Sequence, residues 1–243
     1  MRQPKAILFD LDDTLMVFDG VSAQAWNECC EAFVRANAVD FTPAELLTSI
    51  EETKAWYWGD PERSRWGREN MKEARRHVFS YAAAKLGFAD EEKNRAAADG
   101  YSARQEELWR LFDGIPEALD RLRRRYIRMA VVTNGDSATQ RRKLERFHLT
   151  PYFDFVLIDT EVGFSKPDER IFQLALDRLG LPARDVWMIG DNLVWDVQGP
   201  ARLGITAVWN DYEGKGLPVG SSIKPDMIVS SVQELVQCLS FLK

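Results

Sequence analysis

The sequence predicts an α/β protein: a Rossmann-like, doubly wound parallel sheet core with an inserted helical cap domain. Three observations predict it. Ala6-Ile7-Leu8-Phe9 is a short apolar run that ends in two acids one residue apart, Asp10 and Asp12, and reads as a buried strand delivering polar residues to its tip. From Gly114 onward, apolar runs of strand length alternate with amphipathic runs of helix length, the pattern of a parallel sheet with helices on both faces. Between the two, residues 21–109 are rich in Ala, Glu, Arg and Trp and hold no convincing strand. That middle is a helical insert, so the expected division is a core of residues 1–17 and 111–243 and a helical cap of residues 18–110. At 243 residues and 45% hydrophobic content, the chain suffices for one core plus such an insert.

The elements follow in order. In the insert, Ala25, Trp26, Cys29, Cys30, Phe33 and Val34 recur at helical spacing, and Ala74, Val78, Tyr81 and Leu86 repeat the habit until Gly87 supplies a stop. Residues 89–100 are charged and Ala-rich, a solvated helical surface. A helix over Ile115–Arg124 precedes a strand over Arg128–Thr133. Ser137-Ala-Thr-Gln140 has the form of a capping box and opens a helix through Phe147. Residues 153–158 form the next strand. Asp168 caps the helix after it, Ile171, Phe172, Ala175 and Leu179 form its inner face, and Gly180 ends it. Val186–Gly190 and residues 205–209 are further strands around a short helix, Met227–Val229 adds one more, and a helix over residues 232–242 closes the chain.

Composition excludes several functions. With 32 basic against 38 acidic residues and a net charge near -6, no basic run offers a footprint for a nucleic-acid polymer. No apolar stretch approaches the ~20 residues a membrane span needs. Residues 1–5 run directly into the first strand without a leader, so a cytoplasmic protein with no membrane partner is expected. Three cysteines, Cys29, Cys30 and the distant Cys238, make neither a disulfide framework nor a spaced metal set.

Ligands of open α/β sheets bind beyond the carboxyl ends of the strands. Asp10, Thr133-Asn134-Gly135, Lys166 and Gly190-Asp191 all fall on that edge. Acids sharing so small a volume raise each other's proton affinity unless a cation sits between them. Asp10 suits a nucleophile for phosphorus, since a carboxylate needs no deprotonation at neutral pH. Asp12 suits the acid that protonates a departing alkoxide and then the base that activates water. Asp191, with Asp10 and a phosphate oxygen, makes a hard-oxygen set for Mg2+. Asp196 either holds a metal-bound water or favours the N-terminus of its helix. Thr133 offers a hydroxyl, and Asn134 and Gly135 offer backbone amides as an anion cradle. Lys166, fixed before Pro167 and Asp168, would balance the charge of nucleophile plus phosphate.

Asp10-x-Asp12-x-Thr14, Thr133-Asn134-Gly135, Ser165-Lys166-Pro167-Asp168 and Gly190-Asp191-x4-Asp196 resemble, in order, the four motifs of the haloacid dehalogenase superfamily. The insert resembles the C1 cap of its subfamily I. The resemblance implies a phosphatase with Asp10 as nucleophile, Asp12 as general acid/base, and Thr133, the Asn134–Gly135 turn and Lys166 as phosphate binders. It also implies Mg2+ held by Asp10, the Asp12 carbonyl and Asp191, with Asp196 in support. Thr133-Asn134-Gly135-Asp136-x3-Gln140 and Glu161-Val162-Gly163-x-Ser165-Lys166-Pro167 are similar to the branch that holds N-acylneuraminate-9-phosphatase and pyrimidine 5'-nucleotidases. The expected partner is then a small phosphorylated metabolite, a nucleotide or sugar phosphate, met by a monomer or weak dimer.

Dehalogenation itself is disfavoured chemically: halide leaves without a proton, whereas an alkoxide needs the acid that Asp12 supplies. A phosphomutase would carry the same motifs, and a non-catalytic binding protein on this fold would have no need of Asp12. Cys29 and Arg35 have the spacing of a cysteine-dependent phosphatase, but the interval has no glycine and a helical period. His77 and His148 lie far apart and read as ordinary helix residues. Trp56, Trp58 and Trp66 stand beside Arg63, Arg65 and Arg68 around a Gly59-Asp60-Pro61 break. Either they form a gripping lid, or the tryptophans pack the cap's interior while the arginines coat it, which is the expectation preferred here.

Overall fold

The computed structural model describes residues 2–241. Two compact units emerge, one made of the chain up to Val17 and from Arg110 onward, the other of Phe18–Trp109. In chain order the elements are β1 (Ala6–Phe9), β2 (Met16–Val17), α1 (Asp19–Ala36), α2 (Pro43–Trp58), α3 (Pro61–Glu69), α4 (Met71–Lys85), α5 (Glu91–Leu108), β3 (Arg110–Leu111), α6 (Ile115–Arg124) and β4 (Arg128–Thr133). They continue with α7 (Ser137–Arg146), β5 (Val156–Ile158), α8 (Asp159–Val162), α9 (Glu169–Leu179), β6 (Val186–Gly190), a π-helical turn over Leu193–Gln198, α10 (Gly199–Ala201), β7 (Thr206–Asn210), β8 (Met227–Val229) and α11 (Val232–Cys238).

The first unit is built on a parallel six-stranded sheet in the order β5-β4-β1-β6-β7-β8. From β1 the chain winds outward through β4 and β5 on one side, then through β6, β7 and β8 on the other. The winding reverses between β1 and β6, whose register pairs Phe9 with Ile189, so a crevice opens beyond the ends of those two strands. All four residues of β1 and all five of β6 are buried, as expected of strands covered on both faces. One cover is α9, whose Ile171, Phe172 and Ala175 pack with Leu8, Ala130, Val132 and Met188.

Several boundaries differ from the sequence reading, each for a local reason. The strand expected over 153–158 is regular only from Val156. Asp154 and Phe155 already bond to β4 neighbours, Asp154 N to Met129 O at 2.8 Å and Val131 N to Phe155 O at 3.1 Å, after a 3-10 turn at Thr150–Tyr152. The strand expected at 205–209 sits one residue later. The expected capping box at Ser137 is not one: Asp136 is the N-cap, accepting from Thr139 N at 2.8 Å, and Gln140 points inward. A true box opens α2, between Thr42 and Glu45. The closing helix gives way after Cys238 to a 3-10 turn over Leu239–Phe241, and Leu242 lies outside the described residues. β2 and β3, two residues each and antiparallel, are too short to leave a period in the sequence.

The second unit is α1–α5, all helix as its composition implies. Most of the expected stripes meet inside it, where Trp26 stacks on Tyr101 at 3.5 Å between centroids and Phe33 sets its edge on Phe79 at 5.0 Å, but Tyr81 stands exposed. Ser22 satisfies the Tyr101 hydroxyl at 3.0 Å. The expectation for the tryptophans is overturned for two of the three. Trp56 and Trp66 are 48% and 42% exposed, and only Trp58 packs against the interior. The Gly59-Asp60-Pro61 break turns α3 aside, so Trp56 stacks on Tyr81 at 5.0 Å with the Arg63 guanidinium 4.0 Å over its ring, and Trp66 stacks on His77 at 5.6 Å. Among the described residues, no helix is long and apolar enough to cross a membrane.

Candidate active site

β1 ends at Phe9, and Asp10 continues the ladder by donating its N–H to Ile189 O at 2.9 Å. The chain then tightens. Asp13 takes a left-handed φ of 54°, and both Leu15 N and Met16 N return to Leu11 O at 3.0 Å. This turn sends the side chains of Asp10 and Asp12 to different partners, although two residues separate them on paper.

Asp10 faces inward to Lys166. The buried Lys166 ammonium donates at 2.6 Å to Asp10 Oδ1 and at 2.6 Å to Asp196 Oδ1. Oxygen atoms of Asp10, Asp191 and Asp196 all lie within 4.8 Å of one another. Asp196 is held from behind by Asn192 N at 3.1 Å, while Asn192 Oδ1 accepts from Val194 N and Trp195 N at 3.0 Å each. Gly190 must be glycine, because a Cβ there would overlap the Asp196 carboxylate. The Asp191 backbone is fixed by Trp209 Nε1, which donates to Asp191 O at 2.7 Å.

The charges of this cluster do not balance. Burial pushes the Asp10 carboxyl up to about 7, with Lys166 pulling it down and Asp196 pushing it up. Burial, with Asp10, Asp196 and Asp13 nearby, pushes Asp191 up to about 9. For Lys166, burial favours loss of the proton, but Asp10 and Asp196 outweigh it and hold the ammonium well above the usual lysine range. Three carboxylates share one ammonium, and hard oxygen donors with surplus negative charge fit a divalent cation such as Mg2+.

Asp12 does not bring its carboxylate to this cluster, which leaves its carbonyl, the atom the motif resemblance implies for the metal, as its possible ligand there. It turns to Lys143, whose ammonium donates to Asp12 Oδ1 at 2.6 Å and Oδ2 at 2.8 Å, and to Gln140, which donates to Oδ2 at 3.0 Å. Gln140 also donates to Thr133 Oγ1 at 2.8 Å, tying Asp12 to the end of β4. The Asn134 side chain clamps the Lys166 backbone, Nδ2 to Lys166 O at 3.0 Å and Lys166 N to Oδ1 at 2.9 Å. The Gly135 amide is already engaged, donating to Asp159 Oδ1 at 2.7 Å, so it does not face the cluster as an open anion donor.

Lys143 escapes a reading by strand ends, because it lies on α7 rather than at a strand tip. Its signal was its position: it shares the inner stripe of α7 with Gln140 and Leu144, and a lysine there is buried only if it has a partner. The cysteine alternative fails on chemistry. Burial pushes the thiols of Cys29 and Cys30 up to about 12, which removes the thiolate such a mechanism needs.

A family model described as haloacid dehalogenase-like hydrolase matches residues 4–204. The chain is 32% identical to phosphoserine phosphatase of Thermus thermophilus over 95% of its own length and 97% of the relative's. It is 30% identical to N-acylneuraminate-9-phosphatase of Mus musculus over 97% and 93%. Among solved structures, the HAD-hydrolase YfnB of Bacillus subtilis, bound to magnesium, superposes with a TM-score of 0.76 at 23% identity, covering 99% of this chain and 100% of that one.

Proposed function

Because this chain belongs to the haloacid dehalogenase-like hydrolase family, we propose that it is a Mg2+-dependent phosphomonoester hydrolase that works through an aspartyl-phosphate on Asp10. The observation that carries the reading is the separation of the two acids: Asp10 lies with Lys166, Asp191 and Asp196, and Asp12 with Lys143 and Gln140. One position suits a nucleophile beside a cation, the other an acid that must gain and lose a proton independently of it.

In the first step, an Asp10 oxygen forms a bond to phosphorus and the ester P–O bond breaks. Protonated Asp12 gives its proton to the departing alkoxide. In the second step, water attacks the phosphorus of the acyl phosphate, Asp12 takes its proton, and the bond to Asp10 breaks to release phosphate. Thr133, the Asn134 turn and Lys166 hold the phosphoryl oxygens, and Lys166 offsets their charge. Asp10, Asp191 and Asp196 with the Asp12 carbonyl would hold Mg2+, which supplies positive charge between carboxylates and phosphate.

The named relatives act on different alcohols, a phosphorylated amino acid and a phosphorylated acidic sugar. What they share is a small phosphomonoester, and that is the substrate class inferred here. The test is phosphate release from a panel of nucleoside monophosphates, sugar phosphates, phosphoserine and acylneuraminate 9-phosphate, with Mg2+ and then EDTA, for wild type and Asp10→Asn. Release that needs the metal and vanishes in Asp10→Asn is expected. Release unaffected by Asp10→Asn, or none from any compound, overturns the reading.

A further inference from the structure

Each acid of the Asp10-x-Asp12 pair has a buried ammonium of its own. Lys166 serves Asp10. Lys143, whose side chain is 3% exposed, reaches both oxygens of Asp12 at 2.6 and 2.8 Å. Burying a lysine costs far more than leaving it in water unless its charge is met by a partner in good geometry, and α7 has a solvent side on which Lys143 could have stood at no such cost.

The surroundings of Lys143 are built to keep it there. Gln140, one turn earlier, accepts from its ammonium at 2.8 Å through Oε1 and donates through Nε2 to Asp12 and Thr133 at 3.0 and 2.8 Å. These partners allow one orientation of the amide only: the oxygen must face the ammonium and the NH2 the carboxylate. Gly135 leaves room for this, since its φ of +148° suits glycine and a Cβ would press on Gln140 Cδ at 3.2 Å. Elsewhere on α7, Arg141 forks onto Glu161 of α8 with two bonds of 2.6 Å, and Ser137 donates to the same carboxylate. Such a bidentate pair adds geometric definition as well as energy. The helix is therefore pinned on one side while its other side presents Gln140 and Lys143 to Asp12.

We propose that Lys143, aligned by Gln140, is a positioning residue for proton transfer by Asp12: it fixes the carboxylate beside Thr133, away from the Asp10 cluster, and receives the negative charge that appears on Asp12 when its proton goes to the leaving alkoxide. Lys143 bonds directly to Asp12 and reaches Thr133 only by way of Gln140, so its influence on proton transfer runs through Asp12. The inference rests on the phosphatase reading above.

A positioning role of this kind separates leaving groups. An alkoxide needs the proton as it departs, whereas 4-nitrophenolate leaves without it. kcat/KM reports the steps up to loss of the alcohol, so the experiment measures it for 4-nitrophenyl phosphate and for the alkyl phosphate of the panel that turns over best. The proteins are wild type, Asp12→Asn, Lys143→Met and Gln140→Leu, with melting curves as a control. Lys143→Met should lose at least about 100-fold on the alkyl ester, the scale of positioned general-acid catalysis, and much less on the aryl ester. Gln140→Leu, which removes no charge, should show the same selectivity to a smaller degree and carries the test if Lys143→Met does not fold. Equal losses on both esters, or none, while Asp12→Asn remains selective, overturn this inference alone. A wild type that hydrolyses neither ester, or an Asp12→Asn without selectivity, overturns the reading beneath it and this inference with it.

Discussion

At the carboxyl edge of the sheet, buried Asp10, Asp196 and Lys166 meet half-buried Asp191, and Asp12, next but one to Asp10 in the chain, meets buried Lys143. The helical insert is built the other way. Its interior is Trp26, Phe33, Phe79 and Tyr101 with aliphatic neighbours, and its buried polar side chains, such as Ser49, Thr53, Asn94 and Gln105, carry no charge. Apolar burial stabilises without needing a precise partner, whereas each buried ion is favourable only while its counter-charge stays in place. The two units thus divide the work: the insert spends its interior on holding itself together, and the sheet edge holds unbalanced charge for chemistry.

Asp10 carries the largest expected effect. Asp10→Asn should lower phosphate release at least about 10⁴-fold, since an amide cannot take the nucleophile's role. Yet in EDTA it should melt no lower than wild type. Burial already pushes the Asp10 carboxyl up to about 7, so a neutral group of the same shape relieves a cost. A melting temperature several degrees lower would mean that the edge is structural and that the division of labour is wrong.

The opposite case is Phe79, fully buried between Trp26 and Phe33. Phe79→Ala should cost about 3–5 kcal/mol in chemical denaturation, from lost contacts plus the cavity left behind. A loss below about 1 kcal/mol would show that the insert is not held by its rings.

How much of each region could be read beforehand follows from the same contrast. Asp10, Thr133 and Asp191 were legible because a buried strand is a short apolar run with an abrupt end, and the end names the site residue. Lys166 was legible from the Pro167 and Asp168 that stop its loop from wandering. Lys143 and Gln140 were not read as site residues, because they lie on a helix rather than at a strand end, with only their spacing to Leu144 to mark the inner face, and Gln140 sat at the spacing of a cap that Asp136 in fact provides. The Gly135 amide was misjudged for a related reason: its acceptor, Asp159, lies on a different loop. In the insert, helical period located the stripes of α1 and α4 but not the break after Trp58, where the change of direction leaves Trp56 and Trp66 outside.

A change of pH acts on one unit only. Asp10 and Asp191 take up their protons at about 7 and about 9 when folded, against 3.8 for an ordinary aspartate. Between those limits the folded state holds more protons than the unfolded one, so stability falls as pH rises through them. Metal-free protein should therefore melt progressively lower from about pH 5 to about pH 8, and Mg2+ should restore more of the loss at the upper end. Hydrogen exchange would place the effect: amides around Asp10, Gly190 and Asp196 should lose protection without the metal, while those of α1, α4 and α5 should not. Equal loss in both units would refute the separation.

The smallest expected effect tests the insert's surface against its interior. Trp56 stacks on Tyr81 and lies under Arg63, but it is half exposed, and contacts of that kind contribute about 1 kcal/mol or less each. Trp56→Leu should therefore cost about 1 kcal/mol, well short of Phe79→Ala, because leucine keeps part of the covered area and Arg63 still donates to the Trp56 carbonyl position at 2.8 Å. The same variant separates surface packing from substrate contact. If these rings only cover the insert, Michaelis constants across the phosphomonoester panel keep their wild-type order; if they read the substrate's alcohol, that order changes while the melting temperature barely moves.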